Sequence, residues 1–167
     1  AQLAEGAALG TQTQVTFTVP IGSAEMIPNT VLSMRLLEHM QNTPLAWSED
    51  EQSFAKECQK ALGLKEAGMA TQVMPFINDK AVGGSTDVAD VSWVTPVAIF
   101  GWPTLPQGVS LHSWPVTACG GMSIGDKGSL AAATILAAVG FDLMTEPEFR
   151  AQAKAEREER LAGRKYS

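Results

Sequence analysis

The sequence predicts an α/β fold, and three observations predict it. The segment TQTQVTFTV alternates polar Gln12 and Gln14 with apolar Val15, Phe17 and Val19. The run VAIF at 97–100 reads as a buried strand, and stretches of helical periodicity lie between and after the two. A chain of 167 residues suits one ordinary domain with at most an appendage. With 45% hydrophobic and 18% charged residues it has material for a core and too little charge for a disordered acidic chain. The formal charge of -6, with no basic cluster before the final helix, excludes electrostatically driven nucleic-acid binding. The apolar run from Leu130 to Phe141 is shorter than the roughly 20 residues that span a bilayer, so no membrane partner is expected and the run reads as a buried helix.

The elements follow in order. Leu3, Ala4, Ala7 and Ala8 stand at helical spacing and stop at Gly10, the usual way to end a helix. The β-branched content of the next stretch makes it a half-buried strand up to Pro20, and residues 21–28 form a connector. Asn29 caps a helix with Val31, Leu32, Met34, Leu36, Leu37 and Met40 over a broad face and Arg35 and Glu38 towards water. Within that helix His39 is an ordinary, partly exposed histidine. Ser48 and Glu51 form a capping box that starts a helix with Phe54, Cys58 and Leu62 at four-residue spacing, ended by Gly63. Pro103, Pro106 and Gly108 make the segment from Trp102 to Trp114 an irregular loop. A helix packed on all sides, with Leu136 in the core, begins at Asp126. Thr145 and Glu148 cap a last, solvated helix with the pairs Lys154 with Glu158 and Glu156 with Arg160.

Few residues offer chemistry. Cys58 and Cys119 lie far apart in unlike contexts, matching neither a disulfide framework nor a metal knuckle, and read as reduced thiols of a cytoplasmic protein; AQLAEGAALG at the start has no signal-peptide pattern. His112 follows the apolar stretch from Val109 to Leu111 and precedes Ser113 and Trp114, a setting that can present its ring into a cleft, although one imidazole holds no metal. Asp87 and Asp90 stand one helical turn apart and suit either a hard cation or a helix start with Ser85 or Asp87 as N-cap. CGGMSIGDKGS fails the phosphate-loop pattern because Asp126 precedes Lys127. A helix start from Gly125 to Gly128 with Lys127 nevertheless suits a carboxylate.

Taken in order, GGSTDVADVSW at 83–93, LHSW at 111–114 and GMSIGDKGSLAAATILAAVGFDLMTEPEF at 121–149 resemble the carboxyl-terminal half of aminobenzoyl-glutamate utilisation protein B-like amidohydrolases. These belong to the zinc-dependent family of aminoacylases and carboxypeptidase-G-like enzymes. The resemblance implies part of a zinc-exopeptidase-type catalytic domain, a twisted mixed sheet with flanking helices. Residues 1–20 would be the end of an inserted dimerisation domain, and residues 21–167 the carboxyl-terminal part of the catalytic domain. It implies His112 as a metal ligand, and Gly84, Ser85, Asp87 and Ser113 as lining of the cleft. No catalytic residue is implied in this chain. The cofactor implied is a divalent metal of the zinc type, the substrate an N-acyl-glutamate, and the partners a missing amino-terminal half and a second copy. Asp126 departs from the pattern, standing where related sequences tend to show His. A non-catalytic folding or interaction module is the alternative reading.

Overall fold

A computed structural model describes residues 1–18, 22–75 and 86–166, and among these the regular structure is helical throughout. The helices are α1 (Gln2–Thr11), α2 (Thr30–Gln41), α3 (Glu49–Ala61), α4 (Val88–Ser92), α5 (Trp114–Gly120), α6 (Ser123–Thr145) and α7 (Pro147–Leu161). This overturns the α/β expectation and with it the twisted mixed sheet. The reason lies in what each predicted strand lacks. Residues 13–18 are exposed to solvent, Phe17 included, and among the described residues no neighbouring strand takes their backbone hydrogen bonds. In VAIF the period of two survives as geometry: Ala98 and Phe100 pack on helices while Ile99 points out, yet among the described residues nothing pairs with the segment as a ladder.

Four helices form the hub, α6 packing on α2, α5 and α7, and α2 also on α7. Leu36 of α2 meets Ile135 and Val139 of α6, with Met40, Phe100, Trp102 and Leu143 closing over them. Leu32 meets Phe149 and Ala153 of α7. The second core joins Ala55 of α3, Met69, Cys119 of α5 and Ile124 at the start of α6, flanked by Trp47, Phe54 and Met122.

The amino terminus of α2 is capped from two places. Asn29 Oδ1 accepts from the Leu32 amide at 3.0 Å as the sequence predicts, and its Nδ2 donates to the Ala153 carbonyl of α7 at 2.8 Å. The amides of Thr30 and Val31 donate to the two carboxylate oxygens of Glu156, each at 2.9 Å, so a charge from α7 sits on the positive end of α2. The pair Glu156 with Arg160 is present at 2.9 Å, whereas Glu158 pairs with Arg157 instead of Lys154. The last helix is therefore docked through Phe149, Ala153 and Leu161, a correction to its reading as a solvated helix. Thr145 does not cap it either: its hydroxyl donates back to the Phe141 carbonyl, and Glu146 takes the N-cap position with Pro147 behind it. At the other end of the chain, α1 runs through Gly10, and Gln12 takes the left-handed turn at φ 54 that Gly10 was expected to supply.

The helix expected from Asp126 starts at Ser123, and it is not packed all round. Ile124, Ile135 and Val139 are buried, but Leu130 is 71% exposed, Leu136 56%, Phe141 61% and Met144 75%. Both faces are apolar, one covered and one bare. By length and composition α6 is a candidate for crossing a membrane. Its charge-free part, Gly128 to Phe141, nevertheless rises only about 21 Å at 1.5 Å per residue, short of the roughly 30 Å of hydrocarbon in a bilayer. Truncating Leu136 to Ala is expected to change stability by no more than about 0.5 kcal/mol. Ile135→Ala should cost about 2–5 kcal/mol through lost burial and the cavity left behind. Urea unfolding of the two variants at constant m-value checks the contrast.

Candidate functional site

The loop that carries LHSW is firm at its base and open at its tip. Gln59, buried on α3, donates through Nε2 to the Gln107 carbonyl at 2.8 Å and accepts the Gly68 amide on Oε1 at 2.7 Å. The Gln107 amide donates to the Gly68 carbonyl at 3.0 Å, so two loops are joined to each other and to α3. Gly108, at φ 74, reverses the chain in the left-handed conformation that suits glycine, and Val109 is buried beyond it. From there the side chains turn outward: Leu111 and Trp114 are exposed, His112 is exposed, and Ser113 Oγ donates to the Ser110 carbonyl at 2.6 Å. The His112 amide donates to Ser110 Oγ at 3.4 Å. The bend thus fixes the backbone of His112 while its ring faces solvent. Pro115, buried in the first turn of α5, passes the chain on to Cys119.

The other expected residues do not gather around it. Gly84 and Ser85 lie outside the described residues. Asp87 takes the N-cap position of α4 without a side-chain cap bond; Thr86 Oγ1 accepts the Val88 amide at 3.3 Å in its place. Asp90 is structural, accepting from the Ala24 amide at 3.0 Å and the Tyr166 hydroxyl at 3.2 Å, so the carboxylate pair offers no ready cation site. Among the described residues no three His, Cys, Asp or Glu side chains come together in a way that could hold a metal ion. A zinc site takes about three protein ligands, so these residues do not by themselves fit the metal that the sequence resemblance implies.

Two clusters that local sequence patterns do not reveal are well formed. Glu51, the capping-box residue of α3, is buried, and beyond the Ser48 amide it accepts from Ser123 Oγ at 2.6 Å and Lys127 Nζ at 2.7 Å. The carboxylate that the glycine-rich helix start was expected to attract is therefore the protein's own. Burial works against its ionisation, but the hydrogen bonds from Lys127, Ser123 and the Ser48 backbone outweigh it and bring its pKa from 4.5 down to about 2. The glycines serve other approaches, to the end of α5 and to the loop at Pro103. A Cβ on Gly125 would lie 2.7 Å from the Cys119 carbonyl oxygen, and one on Gly128 2.6 Å from that of Pro103. Asp126 is exposed in the first turn of α6, where a negative charge suits the helix dipole.

The second cluster joins α2 to α6. His39 Nε2 and Arg35 both lie 2.7 Å from Asp142 Oδ2, Arg35 also forks onto Glu146 at 2.9 Å, and its guanidinium stacks 4.3 Å over the Phe149 ring. The hydrogen bond from His39, followed by that from Arg35, holds the Asp142 carboxyl below its ordinary range. Arg35 and His39 are four residues apart, as are Asp142 and Glu146. That matching of spacing and charge on two helices is the sequence signal that finds the cluster. All four groups are engaged with one another, and the cluster is a clasp.

In sequence the chain is similar to one component of a hydrolase. The relative is a p-aminobenzoyl-glutamate hydrolase subunit, the one designated B, of Escherichia coli (strain K12), and it is 32% identical over 174 aligned residues. The alignment covers 87% of this chain and 36% of the relative, so the chain spans about a third of that protein's length. No family model matches, and no solved structure matches.

Stability should fall in acid through Glu51. Because its pKa is depressed in the folded state, its contribution is complete above about 4.5 and is lost as pH falls from there towards 2. Glu51→Gln should cost about 1–3 kcal/mol at neutral pH by leaving Lys127 and Ser123 poorly paired. It should also flatten the acid limb of stability measured by urea unfolding between pH 5 and pH 2 (roughly the linkage window).

Proposed function

We propose that the chain is one portion of a hydrolase that cleaves the amide bond of p-aminobenzoyl-glutamate or a related N-acyl amino acid, and that catalysis needs further polypeptide. The observation that carries this reading is the 32% identity over 87% of the chain to a component of such a hydrolase, whose length it covers by only 36%. The bare face of α6 supports the second half of the reading. A helix whose outward side carries Leu130, Leu136, Phe141 and Met144 is suited to being covered. Protein suits it better than lipid, because Asp126, Lys127 and Asp142 stand close to the ends of its apolar stretch.

In this reading His112 contributes one ligand to a divalent metal of the zinc type, and the remaining ligands and the general base come from outside this chain. The rigid base of its loop, bolted through Gln59, holds the backbone of His112 in place, while its exposed ring remains able to meet another surface. Ser113 and the stretch through Gly84, Ser85 and Asp87 would line the same cleft. Assembly as a homodimer, with residues 1–20 near the contact, and a cytoplasmic setting belong to the same reading. The alternative is a non-catalytic folding or interaction module.

The test is release of p-aminobenzoate from p-aminobenzoyl-glutamate, with water consumed and glutamate formed. The 167 residues alone, supplied with zinc, are expected to give no turnover and no stoichiometric zinc binding by calorimetry. Combined with polypeptide corresponding to the unmatched part of the relative, they should give both, and His112→Ala should remove both while leaving the helical circular dichroism intact. Turnover by the chain alone would refute the partial-enzyme reading. Full zinc content after His112→Ala would refute the ligand role.

A further inference from the structure

Helix α4 has little of its own to hold its shape or its place. It is five residues long, against the roughly 12–15 at which even favourable isolated helices are marginal. Asp87 at its N-cap makes no side-chain bond, Val91 is exposed, and no side chain from Val88 to Trp93 belongs to the three apolar clusters. What holds it is polar and comes from far along the chain. Arg157 of α7, its side chain only 12% exposed, donates through Nε to the Ser92 carbonyl at 3.1 Å and through Nη2 to the Trp93 carbonyl, so a positive charge closes the carboxyl end of α4. Beyond α7, Arg164 lies 5.2 Å over the Trp93 ring and donates to Glu25 Oε1 at 2.8 Å. The Tyr166 ring stands 6.3 Å from that of Trp93, and its hydroxyl donates to Asp90. The connector before α2 supplies the opposite side: the Ile27 amide donates to Ser92 Oγ and Trp93 Nε1 donates to the Glu25 carbonyl, each at 2.8 Å.

We propose that Arg157, Arg164 and Tyr166 are the positioning residues of α4: the carboxyl-terminal segment is a strap that forms this helix and sets Asp87 at its start. The two parts of the strap differ in kind. Arg157 is enclosed and bonds the backbone, so it decides whether the last turn of α4 is closed. Arg164 and Tyr166 are about half exposed and meet side chains, so they decide where the closed turn lies against residues 24–27. Position 157 calls for arginine, because two nitrogens of one planar guanidinium meet two successive carbonyls, which a lysine ammonium does not reproduce. A helix this short is a single cooperative unit, and Asp87 lies only about 9 Å from Trp93 at 1.5 Å per residue, so loss of closure at one end is felt at the other. Release of the strap therefore frees Asp87 while the apolar cores of α2 and α6 stay packed. That Asp87 would then leave the wall of a cleft rests on the hydrolase reading; its dependence on the strap does not.

The test is native-state hydrogen exchange, read by mass spectrometry on the 167-residue chain and its variants. Arg157→Met keeps the stem and removes the donors, Tyr166→Phe keeps the ring beside Trp93 and removes the hydroxyl, and Tyr166→Ala removes both. In the parent chain the amides of residues 91–95 are expected to be protected. In Arg157→Met they should exchange about tenfold faster or more, since two hydrogen bonds from a charged donor are lost. Arg157→Lys should leave them fast, and the variants at 166 should be graded, Ala faster than Phe. Peptides from α2 and α6 should keep their parent rates throughout. Unprotected amides at 91–95 in the parent, unchanged exchange there in Arg157→Met, or an acceleration shared equally by α2 and α6 would overturn the proposal. If Arg157→Met does not fold, the pair at 166 decides, and equal rates at 91–95 in Tyr166→Ala and the parent would overturn it. None of these readouts requires turnover, so failure of the hydrolase reading leaves them standing.

Discussion

The organisation of the molecule depends on a buried carboxylate that is fully satisfied. Glu51 closes the first turn of α3 by its capping box and takes the Ser123 hydroxyl and the Lys127 ammonium from the first turns of α6. Burying a charge is unfavourable unless hydrogen bonds replace its water. Here the replacement comes from two elements that meet only in the finished fold. The starts of α3 and α6 are thereby fixed to each other. Beside it, α6 approaches the end of α5 and the loop at Pro103 closely, at two positions without a Cβ, Gly125 and Gly128.

The helix anchored in this way is the axis of the molecule. At its start α6 is tied to α3, and at its end Asp142 receives Arg35 and His39 from α2. Between the two clasps it buries Ile135 and Val139 and leaves its opposite face apolar and bare. Polar pairing thus sets which way the helix is turned, because its hydrophobicity hardly distinguishes one side from the other. A protein that places its most apolar helix by its charged ends has its strongest orienting contacts at the termini and its largest contact surface in the middle.

Much of the fold was legible in the sequence wherever local rules decide. Asn29 at the start of α2, the Ser48 and Glu51 capping box and the ends of α3 follow from caps and periodicity, and the structure has them as read. The strands were not legible, because alternation at 97–100 fixes which side chains face inward and leaves open whether a neighbour pairs with the backbone. The burial of Leu136 failed for a related reason: a helix apolar on both sides carries no signal for which side is covered. At the candidate site the sequence located the His112 loop, while the meeting of Arg35 and His39 with Asp142 is set by tertiary packing across the chain.

The cap on α2 bears on the order in which the protein assembles. The first amides of that helix find their acceptors on Glu156, and Asn29 reaches the Ala153 carbonyl, across separations of 124 to 126 residues. While the chain is being synthesised, the segment that becomes α2 emerges long before the residues that complete its amino terminus. Until α7 arrives, those amides must bond to water, and Leu32 lacks the surface of Phe149 and Ala153 that it buries against. The start of α2 is therefore secured only once α7 has been made, although α2 itself precedes it by more than a hundred residues.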